Sequence, residues 1–170
     1  MIRRTLDALY LWSGAAAAVL LALIAVAIIV QVAGRSLGYV VDSTEIAGFF
    51  MAASSFFALA HTFKRGTHVR VTLLVERLTG GGRRILEAWC CLAAAGFVGF
   101  LAWWALDLVA QSWRFGDISP GLLAIPFWIP QAAMAFGLLL LTLALVDEAV
   151  GIVRGREPAY ASGEDTALDD

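Results

Sequence analysis

The 170-residue chain has few charged residues and few of the side chains that build active sites. Charged residues make up 15% of the chain, compared with about 25% in an ordinary soluble domain. The two cysteines, Cys90 and Cys91, are adjacent in an apolar run, an arrangement unsuited to a disulfide or to a metal cluster. We therefore expect both to be small buried hydrophobic residues.

The sequence also lacks the residue combinations of common membrane enzymes. A bis-histidine haem needs histidines that face each other from different helices, but His61 and His68 lie at the same end of one apolar stretch. Ser54 and Ser55 have only His61 on the same helix, at an unfavourable spacing, so no nucleophile and base are paired. We predict no catalytic residue, no metal and no cofactor, and hence no enzyme.

Hydrophobic residues are abundant, at 61% of the chain with a mean hydropathy of +0.81. This composition excludes a water-soluble fold and leaves no feature that favours a nucleic-acid partner. Four apolar stretches are long enough to cross a bilayer as helices. They are residues 9–33, 44–63, 85–112 and 124–149. The sequence therefore predicts an all-α, four-span membrane domain over residues 1–156.

Small residues recur at four-residue spacing within these stretches, which lets transmembrane helices approach closely. The pairs are Gly14 with Ala18, Ala95 with Gly99, and Ala133 with Gly137. We also expect these helices to contact membrane lipid.

All but two of the 12 Lys and Arg residues fall on one side of this topology. The exceptions are Arg35 and Arg114, in the two short connections on the opposite side. Because Lys and Arg are retained on the cytoplasmic side, both termini are predicted to be cytoplasmic. We call the two membrane faces the predicted inner end and the predicted outer end.

The connections differ in character. Between the second and third spans, apolar residues at positions 71, 74, 75 and 78 predict an amphipathic helix over residues 69–79, lying on the membrane; a basic loop without a helix is the alternative. Pro126 and Pro130 predict that the regular part of the fourth helix begins near Pro126, after an irregular outer segment. Residues 157–170 are acidic and are expected to be disordered.

Asp107 is the one acidic residue that lies well inside a predicted span. It shares a helix face with Gln111 and Arg114, so we expect a polar seam stabilised by neighbouring side chains. The alternative is a coupling carboxylate in a small proton-coupled exporter. Glu45, near the outer end of the second span, is expected to pair with Arg35 or Arg114.

Four short segments, in order, resemble the small membrane subunit (Q type, DctQ-like) of tripartite ATP-independent periplasmic (TRAP) transporters. They are Gly34-Arg35-Ser36, Glu45, Lys64-Arg65-Gly66-Thr67-His68-Val69-Arg70-Val71, and Ser119-Pro120-Gly121-Leu122-Leu123-Ala124-Ile125-Pro126-Phe127-Trp128. The likeness extends over roughly residues 5–153. Thr72 departs from the pattern, because an aspartate is expected there, so no role is assigned to a carboxylate at that position.

The resemblance implies a multi-pass protein of a bacterial inner membrane, acting as a non-catalytic scaffold for the large (M type) membrane subunit. In such a system a periplasmic solute-binding receptor delivers an organic acid for sodium-coupled uptake. The candidate partner or structural contacts are Arg35, Glu45, His68, Asp107, Arg114, Pro126 and Trp128. The candidate receptor-facing residues are Arg35, Asp42 and Asp117. Three of these residues have simpler alternatives. They are headgroup anchoring for Arg35, a solvated or paired helix start for Glu45, and an interfacial loop position for His68. At the level of the whole chain, the alternatives are a membrane anchor for another complex and the exporter.

Overall fold

The computed structural model describes residues 2–39, 42–64, 81–121 and 123–155, which form four long helices. These helices are α1 (Ile2–Ser36), α2 (Thr44–Lys64), α3 (Gly81–Phe115) and α4 (Trp128–Val153). Each is long and apolar enough to cross a membrane, which confirms the predicted all-α architecture with four potential spans. The predicted amphipathic helix at 69–79 and the acidic tail at 157–170 lie outside the described residues.

Glycines end α1 and α3 at the predicted outer end. Gly38 and Gly116 follow the two helices with φ values of 83° and 67°, a backbone conformation that residues with a Cβ rarely adopt. After each glycine, a backbone N–H donates to a carbonyl five residues earlier, from Tyr39 to Gly34 (2.9 Å) and from Asp117 to Ser112 (3.1 Å). Both helices thus end in a Schellman motif, which satisfies carbonyls of the last turn.

The fourth helix begins at Trp128, slightly later than the sequence predicts. The described residues 117–121 and 123–127 instead form a closed loop, called the 117–127 loop. In it, Ser119 N–H donates to the Ile125 carbonyl (2.9 Å) and Phe127 N–H donates to the Asp117 carbonyl (3.0 Å). These bonds hold Pro126 in a bridge opposite Ile118, so it cannot join the helix. Pro130 lies in the first turn, where a missing N–H costs little.

The helices pack in the spatial order α1–α2–α4–α3. The main helix contacts of the described residues join α1 to α2, α2 to α4, and α4 to α3. The clusters that hold this layer together are rich in alanine, and the largest of them includes Tyr10 and Phe63 at the predicted inner side. Small side chains at the contacts allow the helix backbones to lie close together.

Three of the small residues noted in the sequence lie at such contacts. A Cβ at Gly137 would lie 2.7 Å from the Phe56 backbone, and one at Gly14 would lie 2.6 Å from the ring of His61. A Cβ at Gly99 would lie 3.4 Å from Thr142. The predicted close approach is therefore confirmed at Gly14 and Gly137, whereas the distance at Gly99 corresponds to ordinary van der Waals contact.

The expectation for the cysteines is half correct. Cys91 is buried between α3 and α4, as predicted, but Cys90 is exposed. Consecutive helix residues point about 100° apart, so two adjacent cysteines cannot both face the same narrow contact.

Candidate functional site

Glu45 lies in the first turn of α2, at the predicted outer end. Its carboxylate is packed against Gly121 of the 117–127 loop, where an added Cβ would overlap it. Both carboxylate oxygens are buried and have no hydrogen-bond partner among the described residues, and the same is true of the Gln131 Oε1 atom on α4. The ion pair with Arg35 or Arg114 that the sequence suggested is not formed, because the Glu45 side chain lies within the α2–loop contact.

The connection between α1 and α2 is fixed to α1 by Ser43. Its hydroxyl donates to the Ala27 carbonyl (2.8 Å), and its backbone N–H donates to Gln31 Oε1 (3.2 Å). Gln31, a polar residue in an otherwise apolar helix end, was the signal in the sequence for this contact. Arg35 and Asp42 on either side of the connection are both exposed.

Asp42 forms the turn that starts α2. Thr44 N–H donates to Asp42 Oδ1 (3.0 Å). Hydrogen bonds from the Thr44 side chain and backbone hold the pKa of Asp42 below its usual range, because they stabilise the charged carboxylate. Asp42 is therefore a fixed negative charge on the surface of the predicted outer end.

The connection between α3 and α4 adds further charged and aromatic groups at this end. Asp117 and Arg114 are exposed, and Pro126 is exposed within the loop. The rings of Trp113 and Trp128 meet edge to face with centroids 4.9 Å apart. Trp113 lies in the last turn of α3 and Trp128 is the first residue of α4, and tryptophans at helix ends commonly anchor them among lipid headgroups.

Asp107 lies on α3 and is exposed on the outside of the helix layer. Gln111 Nε2 donates to Asp107 Oδ2 at 2.6 Å, so the Asp107–Gln111 part of the predicted polar seam is formed. Among the described residues, Arg114 makes no ion pair with Asp107.

A second polar cluster lies at the predicted inner end, and sequence reasoning missed it. Lys64, the last residue of α2, contacts Asp147 (2.5 Å) and Glu148 (3.4 Å) of α4. Its ammonium group also lies 5.6 Å from the ring centroid of Tyr10 on α1. Lys64 thereby joins three helices, whereas the sequence indicated only a basic residue following a span and two carboxylates near headgroups.

His61 also has a structural contact. Its Nδ1 atom is 3.0 Å from the Tyr10 carbonyl oxygen, to which it donates. The ring fills the space left by Gly14 on α1. His68, the candidate taken from the family resemblance, lies outside the described residues.

The polar side chains within the spans are mostly bonded to their own helices. Ser54 and Ser55 both donate to the Met51 carbonyl, and Thr142 donates to the Leu138 carbonyl. Across residues 2–39, 42–64, 81–121 and 123–155, no group of three His, Cys, Asp or Glu residues is arranged to hold a metal ion. Exposed large apolar side chains occur on all four helices and form surfaces suited to contact with lipid or protein.

Comparison with known proteins gives the family. The family model described as the DctQ component of tripartite ATP-independent periplasmic transporters matches residues 24–155. The match extends from the middle of α1 to the end of α4, and it confirms the resemblance drawn from the short segments. No curated protein shows a significant match to the chain. The chain therefore belongs to the DctQ family, the small membrane component of TRAP transporters.

Proposed function

We propose that this chain is a non-catalytic scaffold subunit, which holds the large membrane subunit of a TRAP transporter while that subunit transports the substrate. In this proposal, a periplasmic receptor delivers an organic acid and sodium drives its uptake. The family match supports membership of a tripartite transporter. The substrate class and the coupling ion are proposed from the family resemblance alone.

The observation that supports the scaffold role best is the low burial of the helices. In the most apolar 18-residue stretch of α1, 6% of the residues are buried, and even in α4 the fraction is 44%. A layer of helices with two broad exposed faces has a large area for contact with a second membrane protein. Such a layer is a suitable rigid partner for a subunit that moves during transport.

An independent carrier requires polar groups that converge on a substrate within the membrane. Among the described residues, the hydroxyl groups of Ser54, Ser55 and Thr142 bond to carbonyls of their own helices. Asp107 is exposed on the outside of the helix layer and does not converge with these groups. These local bonds favour a supporting subunit over a carrier.

We assign the predicted outer end to the periplasm, where it faces the receptor. Arg35, Asp42 and Asp117 are exposed there, on the two connections that join α1 to α2 and α3 to α4. Charged groups at the rim of a docking surface steer association and suppress binding in wrong orientations. These three residues are the proposed receptor contacts.

The scaffold role is tested by uptake in proteoliposomes that contain the large subunit, with the purified receptor and a sodium gradient. We expect substrate uptake with this chain present and loss of uptake without it. Full uptake by the large subunit alone would contradict the proposal.

Receptor contact is tested separately by charge reversal. Asp42→Lys, Asp117→Lys and Arg35→Glu should each raise the receptor concentration needed for half-maximal uptake and leave the amount of membrane complex unchanged. Met51→Ala, an exposed change within α2, is the control. Unchanged receptor dependence in all three variants would exclude these residues from the contact.

A further inference from the structure

One face of α3 is exposed along its length and is rich in aromatic residues. We call it the aromatic face, and its exposed members include Trp89, Phe100, Trp103 and Trp104. The opposite side of α3 has the buried alanines at 102 and 105, which pack against α4. Phe100 and Trp104 contact each other edge to face, with centroids 6.2 Å apart. Nothing in the described part of the chain covers this face.

The polar pair Asp107 and Gln111 lies on the same face. Residues three, four and seven apart share one side of a helix, so Asp107 lies in line with Phe100, Trp103 and Trp104. Asp107 is six residues before Trp113, which corresponds to about 9 Å along the helix axis. We place Trp113 at headgroup level, as expected of a tryptophan near a helix end. On this placement the Asp107 carboxylate lies within the hydrocarbon region, too deep for a short side chain to reach water.

A carboxylate at this depth is unfavourable against lipid. One hydrogen bond from Gln111 satisfies part of its acceptor capacity, since an ionised carboxylate has two oxygens and about four acceptor positions. Ionisable residues inside membranes almost always face protein or water and pair with a partner group. Because the described part of the chain supplies no further donor, we infer that the position calls for one from a neighbouring molecule.

The other edge of the helix layer differs in this respect. The exposed residues of α1 between positions 15 and 30 are all aliphatic, Leu21 and Ile29 among them. Such a surface is well suited to lipid tails and has no polar group that needs a partner. The two edges of the layer are thus chemically distinct, and the α3 edge is the one with a carboxylate that needs a further hydrogen-bond donor.

We propose that the aromatic face of α3, with Asp107 and Gln111, binds the large membrane subunit through a transmembrane helix that has a hydrogen-bond donor at the depth of Asp107. The inference rests on the proposed scaffold function and names its contact surface. A second copy of this chain is the less suitable occupant. Two copies with the same orientation in the membrane would be related by a two-fold axis along the membrane normal, which brings the two Asp107 carboxylates to the same depth.

The proposal is tested by photocrosslinking in the native membrane. The photoreactive residue p-benzoyl-phenylalanine is introduced in place of Phe100 or Trp104 on α3, and in place of Leu21 or Ile29 on α1 as matched exposed controls. After irradiation, the tagged chain is purified and its covalent products are identified by mass spectrometry. We expect crosslinks to the large subunit from both α3 positions and none from either α1 position.

A second variant tests the polar contact itself. Asp107→Leu should reduce the large subunit recovered with the tagged chain by roughly tenfold, and Asp107→Asn should recover part of it. The melting temperature of the isolated chain should not fall in Asp107→Leu, because the residue is exposed in the absence of the partner. Recovery of the large subunit at the wild-type level in both variants would overturn the role of Asp107.

The outcomes separate this inference from the scaffold function. If the large subunit is recovered with the chain but crosslinks only from α1, the aromatic face is not the contact and the scaffold function stands. If the α3 positions crosslink to a second copy of the chain, the inference is also wrong. If no large subunit is recovered with any variant or with the wild type, the scaffold function fails and this inference fails with it.

Discussion

At the scale of single residues, Glu45 stands out because no hydrogen bond from the described residues offsets the cost of burying its carboxylate. Its two oxygens are buried without a hydrogen-bond partner in the described part of the chain. Burial of an unpaired polar group costs about 1–3 kcal/mol, and a charge costs more. The Glu45 carboxylate therefore lowers the stability of the isolated subunit.

We expect Glu45→Gln to raise the melting temperature of the isolated chain in mild detergent by about 2–8 °C, because it removes a buried carboxylate and preserves its shape. Asp107→Asn is the matched control, since that carboxylate is exposed and its melting temperature should change little. Tryptophan fluorescence during heating gives both values. A decrease in the Glu45→Gln melting temperature would show that the carboxylate has a stabilising partner in the subunit.

Lys64 differs from Glu45, because its charged group is paired with two carboxylates. The Lys64 and Asp147 side chains are 19% and 24% exposed, so their attraction is less screened than that of a surface pair. Lys64→Met removes the cation that contacts Asp147 and Glu148 in this partly buried site.

We expect Lys64→Met to lower the melting temperature of the isolated chain by roughly 2–8 °C, equivalent to about 1–2 kcal/mol. The double variant Lys64→Met, Asp147→Asn should be destabilised by less than the sum of the two single variants, because the two residues interact. Additive effects in this cycle would mean that the ion pair contributes nothing to stability.

Residue pairings were the least predictable feature of the sequence. The four-residue spacing of Asp107 and Gln111 on one helix was enough to predict their contact. The pairing of Lys64 with Asp147 joins two helices whose rotation and spatial order depend on packing, which spacing does not determine. For the same reason the expected partner of Glu45 was wrong, whereas its position at the start of α2 was correct.

At the scale of helices, the contact between α2 and α4 depends on Gly137. An added Cβ would meet the backbone of Phe56, which cannot rotate away as a side chain can. The same addition at Gly121 would meet only the end of the flexible Glu45 side chain. Close approach to a backbone is therefore the stricter constraint.

We expect Gly137→Ala to destabilise the isolated chain by about 1–3 kcal/mol, because α2 and α4 must move apart. Gly96→Ala is the matched control, since Gly96 lies within a helix and its added Cβ would meet nothing within 4 Å. Gly96→Ala should leave stability unchanged or raise it slightly, in line with the helix propensity of alanine. Equal effects of the two substitutions would contradict the close packing at Gly137.

Helix existence was predictable because it depends on hydropathy and length, which are local properties of the sequence. The residue at which α4 begins was less predictable from the sequence. Pro126 is suited both to a helix start and to a turn, and the bonds between Asp117 and Phe127 that close the loop are tertiary features. Trp128 follows that loop and is the first residue of the helix.

At the scale of the whole molecule, the distribution of basic residues predicts the orientation. A reporter fused at either terminus should be cytoplasmic, whereas one inserted after Gly38 or Pro120 should be periplasmic. Green fluorescent protein and alkaline phosphatase, which are active on opposite sides of the membrane, distinguish the two. Phosphatase activity at the C-terminus with none in the two connections would invert the topology and place the proposed receptor contacts in the cytoplasm.

The layered arrangement of the helices is what connects the structure to the scaffold function. Packing in the order α1–α2–α4–α3 leaves broad surfaces uncovered, and only the α3 edge combines exposed aromatic residues with a carboxylate inside the span. Hydropathy predicted the number of spans, but their spatial order depends on side-chain fit between helices, so neither the layer nor its distinct edges could be predicted.

The central claim is that this chain functions only as part of a larger membrane complex. Purification of a C-terminally tagged chain from its native membrane in mild detergent, followed by mass spectrometry, tests it most directly. We predict a single large polytopic membrane protein in a fixed ratio to the tagged chain. Purification of the chain as a stable homo-oligomer without such a partner would contradict the scaffold account.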